Sequence, residues 1–163
     1  MRVYVPGTVP MLHVLNETAE FVAVNGTAFA LTPALREAYA TGSAEELEYA
    51  AMLDAARASL RLIASDPKAP PRRVVVSADL DDVTLRPDLD HAVVRLSGPI
   101  PIRVVAAVHM DAPDAEPAVR AAVAVIDAAD LGDADAEFTL GDAEDHELAW
   151  YAPQELPFLL ELM

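Results

Sequence analysis

The sequence predicts an α+β domain: a two-layer sandwich of helices on a mixed or mainly antiparallel sheet, ferredoxin-like in arrangement and compatible with two related halves. Three observations carry this. Short β-forming runs alternate with helical periodicities along the whole chain, and neither period persists throughout. Turn signals at Asn25-Gly26 and Ser97-Gly98-Pro99 stand between apolar runs, where hairpin turns belong. Apolar residues make up 53% of the 163, alanine prominent and aromatics only 6%, which suits helices packed closely on a sheet. A chain of this length is one domain, residues 1–163, and its candidate half boundary is the proline-rich connector 65–73, "SDPKAPPRR".

Arg2–Val5 reads as a strand that Pro6 stops, and Pro10 falls in the first turn of the helix that follows. Asn25-Gly26 predicts a type I′ hairpin between strands at Phe21–Val24 and Thr27–Leu31, because that turn needs positive φ twice. Thr32-Pro33 opens a short helix that Gly42 closes. Ser43 and Glu46 form a capping box for a helix running to about Ala64. Its apolar face is Tyr49, Met52, Leu53, Ala56, Leu60 and Ile63, widened by Leu47, Ala51, Ala55, Ala58 and Leu62. Such a helix is covered on more than one side, with Asp54 and Arg57 spaced to pair.

"RVVVSADL" follows the connector as a strand apolar on both faces, as in a covered sheet. Strands near Ala92–Leu96 and Ile102–His109 flank "SGPIP" as a hairpin. Asp114 caps a helix with Pro117 in its first turn and Val119, Ala122, Val123 and Ile126 inward. "LGDADAEFTLGDAEDHE" reads as an acidic loop with a short strand at Phe138–Leu140. "ELAWYA" is the last strand and "QELPFLLELM" a terminal helix. The two ends, "VYVPGTVPMLHVL" and "WYAPQELPFLLEL", share a strand, a proline stop and a proline-started helix, which predicts equivalent, neighbouring strands in one sheet. Strand alternation sets Tyr4 opposite Val3 and Val5, and Tyr151 opposite Trp150 and Ala152.

Composition narrows function mostly by exclusion. With no cysteine, disulfides, thiolate nucleophiles and cysteine-bound zinc are excluded. The apolar runs are too short to span a bilayer, and a proline interrupts the first residues before an export signal develops, so a cytoplasmic protein with no membrane contact is expected. Acids outnumber bases 27 to 11, a net charge of −16, which disfavours direct nucleic-acid binding. Lys68 is the only lysine, and alanine with arginine dominates, as a GC-rich genome dictates.

No motif carries a reaction. His109, Asp111 and the acidic run Asp142–Glu147 are metal-ligating types, but no HxH, HxxxH or HExxH spacing joins them, nor does any include His13 or His91. "DLDD" at Asp79–Asp82 resembles strand-end magnesium aspartates, yet no glycine-rich loop or nearby lysine exists to grip a phosphate. Ser43 is a cap, while Ser59, Ser65, Ser77 and Ser97 lack a nucleophile elbow. Arg72-Arg73, the one basic cluster, reads as solvation of a strand edge. No catalytic residue, metal or cofactor is therefore assigned.

The phrases "GTAFALTPALREAY", "ELEYAAMLDAARASLRLIA" and "ELAWYAPQELPFLLEL" resemble a family of uncharacterised actinobacterial proteins of about this length. The likeness covers nearly the whole chain and implies no catalytic residue.

The leading expectation is a non-catalytic domain that acts by protein–protein contact, with itself as a homo-oligomer or with a basic partner. The alternative is a small-molecule site or enzyme in a strand-end crevice formed by Tyr4, Asp79, His109, Asp111 and Tyr151. That crevice requires parallel strands; an antiparallel sheet scatters these residues. A third reading is an acidic mimic of nucleic acid.

Overall fold

The computed structural model describes residues 1–163. Its strands are β1 (Arg2–Gly7), β2 (Glu20–Phe21), β3 (Thr27–Ala30), β4 (Val74–Asp79), β5 (Val83–Leu85), β6 (Val93–Leu96), β7 (Ile100–Pro101), β8 (Val105–Met110) and β9 (Ala149–Tyr151). Its helices are α1 (Val9–Thr18), α2 (Pro33–Ala38), α3 (Ala44–Ala64), α4 (Glu116–Asp130), α5 (Ala134–Glu144) and α6 (Leu156–Glu161). The predicted α+β class is correct. Seven strands form one sheet in the order β5-β6-β3-β1-β4-β8-β9, and β2 pairs with β7 in a separate ribbon.

Every pair in the main sheet is antiparallel. The mainly antiparallel sheet expected from the sequence is therefore present, but its seven strands are more than the four of a single ferredoxin-like split β-α-β unit. Helices also cover both faces, so the sandwich has three layers rather than two. On one face Val3, Val5, Val76, Ala78, Val94 and Val108 pack against Leu12 and Leu15 of α1 and Leu156, Leu159 and Leu160 of α6. On the other, Tyr4, Phe29, Val75 and Val93 meet Leu35 of α2 and Leu47, Ala51, Ala55 and Ala56 of α3. Beyond the sheet, Leu60 and Ile63 of α3 join Val119, Ala122 and Ile126 of α4 and Ala136 and Leu140 of α5. The all-apolar β4 follows from its position: it is central and covered on both sides.

Local signals were mostly sound. Ser43 and Glu46 make the reciprocal capping box, and α3 ends at Ala64 as its pattern requires. Thr32 Oγ1 accepts from the Leu35 amide at the start of α2, although the helix ends at Ala38, short of Gly42. Asn25 (φ 57°) and Gly26 (φ 67°) form the predicted positive-φ turn. Phe21, however, pairs with Ile100 rather than with the strand after the turn. The Phe21 ring is drawn beneath the sheet, so close to Gly7 that a Cβ there would lie 2.8 Å from its Cζ.

Five other expectations fail. "SGPIP" joins no hairpin: β6 pairs with β3 and β5, and β8 with β4 and β9. The hairpin is instead β5–β6: β6 lies within the expected Ala92–Leu96 strand, and its partner β5 at Val83–Leu85 is a strand the sequence reading did not assign. Residues 134–144 form helix α5, not an acidic loop with a strand; Asp133 caps it through the Ala136 amide, and Ala136, Leu140 and Ala143 lie buried at helical spacing. Arg57 reaches across to Asp130 and Glu137, not to Asp54. The similar chain ends share one sheet without being neighbours, since β4 and β8 separate β1 from β9. Pro6 does not end its ladder, which continues to Gly7 opposite Val74.

Arg73, expected at a solvated edge, is 2% exposed and pairs with the fully buried Asp111. Nε and Nη2 donate to the two carboxylate oxygens at 2.8 and 2.7 Å, and the Arg73 amide donates to Oδ2 at 2.8 Å. Nη2 also donates to the His146 carbonyl at 2.8 Å. The pair thus ties the start of β4, the end of β8 and the connection into β9. Asp111→Ala leaves a buried guanidinium uncompensated and is expected to cost about 3–5 kcal/mol in urea unfolding. Replacing both members, Arg73→Met with Asp111→Leu, is expected to cost less than that single change.

Candidate functional site

A cleft of about 400 Å³ opens between the N-terminal half of α3 and the sheet over β1, β4, β8 and β9. Small residues make it. Ser77, Ala106 and Ala107 form part of its floor. Ser77 pairs with Ala107 and Ala78 with Val105, so a bulge leaves Ala106 unpaired at this point of β8. The ladders then align Tyr4 with Ser77, and His109 with Trp150 of edge strand β9, on one sheet face. Tyr49 and Met52 of α3 form the facing wall.

Tyr4 donates its phenol proton to Glu48 Oε2 at 3.1 Å. Burial, the Glu48 charge and that bond push its pKa up to about 12, so the phenol stays neutral. Ser77 Oγ lies 3.2 Å from His109 Nε2. Burial, and then the Arg2 charge, hold the imidazole below its ordinary value. Arg2 is itself spent on Asp79, Nε to Oδ1 at 2.7 Å and Nη2 to Oδ2 at 3.1 Å, and this bonding lowers the Asp79 carboxyl. The floor is therefore uncharged near neutrality and its one cation is paired. Glu45 and Glu48 on the α3 wall have no ion-pair partner.

The arrangement suits recognition better than acyl transfer. Ser77 is 1% exposed in the middle of a central strand, and no carboxylate is bonded to His109. No three histidine, aspartate or glutamate side chains converge as a metal site, the grouping of His109 and Asp111 with Asp142–Glu147 included.

Of the five candidate ligand contacts, Tyr4 and His109 line the cleft. Asp79 stands outside the lining, joined to Arg2. Asp111 is buried against Arg73. Tyr151 packs on the opposite sheet face, against the α1 and α6 core. Antiparallel pairing scatters these strand ends, as the parallel crevice would not. Sequence reasoning missed Arg2, Ser77, Glu48, Tyr49 and Trp150. Tyr49, Met52 and Leu53 carried the available signal: they belong to the apolar stripe expected to be buried, yet Tyr49 is 51% exposed.

The chain belongs to a family of unknown function, DUF6912. The match covers residues 1–160, nearly the whole domain and every residue of the cleft. No curated protein matches this DUF6912 chain. No solved structure matches it either. No helix is long and apolar enough to cross a membrane.

Because burial lowers the His109 pKa, the folded state resists its protonation. Its contribution to stability is complete above the unfolded value of about 6.5 and is lost as pH falls through the folded value. An NMR titration is expected to place His109 below an unperturbed histidine. His109→Gln is expected to remove part of the loss in urea midpoint between pH 7.5 and about pH 5.

Proposed function

We propose that this protein binds a small organic cation in the cleft over Tyr4, Ser77 and His109. The carrying observation is the uncovered part of the α3 stripe. Tyr49 and Met52, with Trp150 opposite, offer apolar and aromatic surface around a floor whose only cation is already paired. Glu45 and Glu48 then leave negative charge beside π-faces, the environment that favours an ammonium group. The volume lies within the range of small-ligand sites. The lysine-poor, alanine- and arginine-rich composition supports an origin in a high-GC actinobacterium, and the absence of cysteine fits action in the cytoplasm.

Trp150 is the chain's only tryptophan, so its fluorescence reports directly on the cleft. Titrating hexylamine, hexanol and hexanoate varies the charge on one apolar body. Hexylamine is expected to bind about tenfold or more tighter than hexanol, with hexanoate silent. Glu48→Gln, which retains an acceptor for Tyr4, is expected to weaken hexylamine about threefold to tenfold. Hexanoate binding as tightly as hexylamine overturns the reading.

Self-association is a second reading, favoured by the open outer edge of β9 and the exposure of Trp150 on it. Two β9 edges pairing about a twofold axis would extend the sheet. It ranks second because β9 offers only three residues. Sedimentation over a concentration series is expected to show a dimer on this reading, and a monomer throughout removes it.

A further inference from the structure

The cleft does not end at Met52. Tyr49 and Met52 are also walls of a second hollow of about 130 Å³, bounded by Leu53 and Ala56 of α3, Leu148, and the residues leading into β9. At an α-helical rise of about 1.5 Å per residue, the stretch of α3 that lines the two adjoining hollows, Glu45 to Ala56, is about 16 Å long. Each part has its own pair of glutamates, Glu45 and Glu48 in the first and Glu144 and Glu147 in the second. None of the four is in an ion pair. The cation of the second hollow, Arg73, is consumed by Asp111 and the His146 carbonyl.

The order along the groove is thus acid, apolar neck, acid. Helix α3 places Glu45, Glu48, Tyr49, Met52 and Leu53, while Glu144 ends α5 and Glu147 lies in the connection to β9; Tyr49 and Leu53 are the exposed apolar residues between the two pairs. A single ammonium group would satisfy one end only. A flexible methylene chain with charge at both ends matches this order, with apolar surface at Tyr49, Met52 and Leu53 between two hollows that each hold a pair of glutamates.

We propose that the groove takes an elongated dication, an aliphatic α,ω-diamine, with one ammonium group in each hollow and its methylene chain across the Tyr49–Met52 neck. This rests on the cation-binding reading of the first cleft and adds the length and valence of the ligand. Spanning separates it from general attraction to a chain of net charge −16, because such attraction depends on charge and not on the distance between charges.

The test compares hexylamine, hexamethylenediamine and ethylenediamine by Trp150 fluorescence, with calorimetry for stoichiometry. Hexamethylenediamine is expected to bind one per chain and about tenfold tighter than hexylamine. Ethylenediamine, equally charged but too short to pass the neck, is expected to show no such gain. In a Glu144→Gln/Glu147→Gln double variant, checked for folding by near-ultraviolet circular dichroism, the ratio of hexamethylenediamine to hexylamine affinity is expected to fall to about one. If hexylamine binds and hexamethylenediamine binds no tighter, the dication proposal fails while the cation-binding reading stands. If the gain survives in the double variant, or ethylenediamine matches hexamethylenediamine, spanning is overturned. If neither amine perturbs Trp150, the cleft reading itself falls and the dication with it.

Discussion

The ion pair between Arg73 and Asp111 is the contact on which the rest of this architecture turns. Both side chains are almost wholly removed from water, a position tolerated only when charges are paired and their remaining groups bonded. The guanidinium meets both carboxylate oxygens and the His146 carbonyl, while the backbone amide of Arg73 meets the same carboxylate. One knot therefore fixes four things: where the proline-rich connector ends, where β4 begins, where β8 ends and how the chain enters β9. Edge strand β9 is only three residues long, so its ladder alone gives little rigidity. Anchoring its approach holds Trp150 opposite α3 and keeps the groove open between them.

That groove results from a mismatch between two surfaces. Helix α3 carries an apolar arc wider than the sheet can cover. Its Leu47, Ala51 and Ala55 side is fully buried, whereas Tyr49 and Leu53 remain exposed. The strands beneath offer Ser77, Ala106 and Ala107 where larger residues would have filled the gap, and the bulge at Ala106 adds to it. Burial and pairing then discharge the floor. Tyr4 keeps its proton, His109 tends to lack its second one, and Arg2 is matched by Asp79. The glutamates on the walls supply the charge left over. Recognition of a cation thus arises from what the floor neutralises as much as from what the walls carry.

Much of the local structure was legible from single residues. Ser43 with Glu46 gave the start of α3, Asn25-Gly26 gave a positive-φ turn, and Pro10 marked the first turn of α1. These signals work because caps and turns are satisfied within four or five residues. Where the signal was compositional, it misled. The acidic 134–144 stretch concealed a helix because its burial rests on the small residues Ala136 and Ala143 and a single Leu140. Arg73 read as solvated because nothing nearby in sequence announces Asp111, 38 residues away.

By itself the sequence determined the α+β class, the Thr32 and Ser43 caps though not the one expected at Asp114, the proline-started helices and the fact that β4 is buried on both faces. Those properties depend on backbone bonding and side-chain periodicity within one segment. Tertiary structure alone decided the strand order of the antiparallel sheet, that β2 leaves the Asn25-Gly26 turn to join β7, and that helices cover both faces. It also decided the site. Tyr4, Ser77, His109 and Trp150 come from β1, β4, β8 and β9, and they meet only through the registers of three ladders. A shift of one residue in any of them would turn a side chain to the other face, and local patterning does not choose between registers when, as in β4, both faces are apolar.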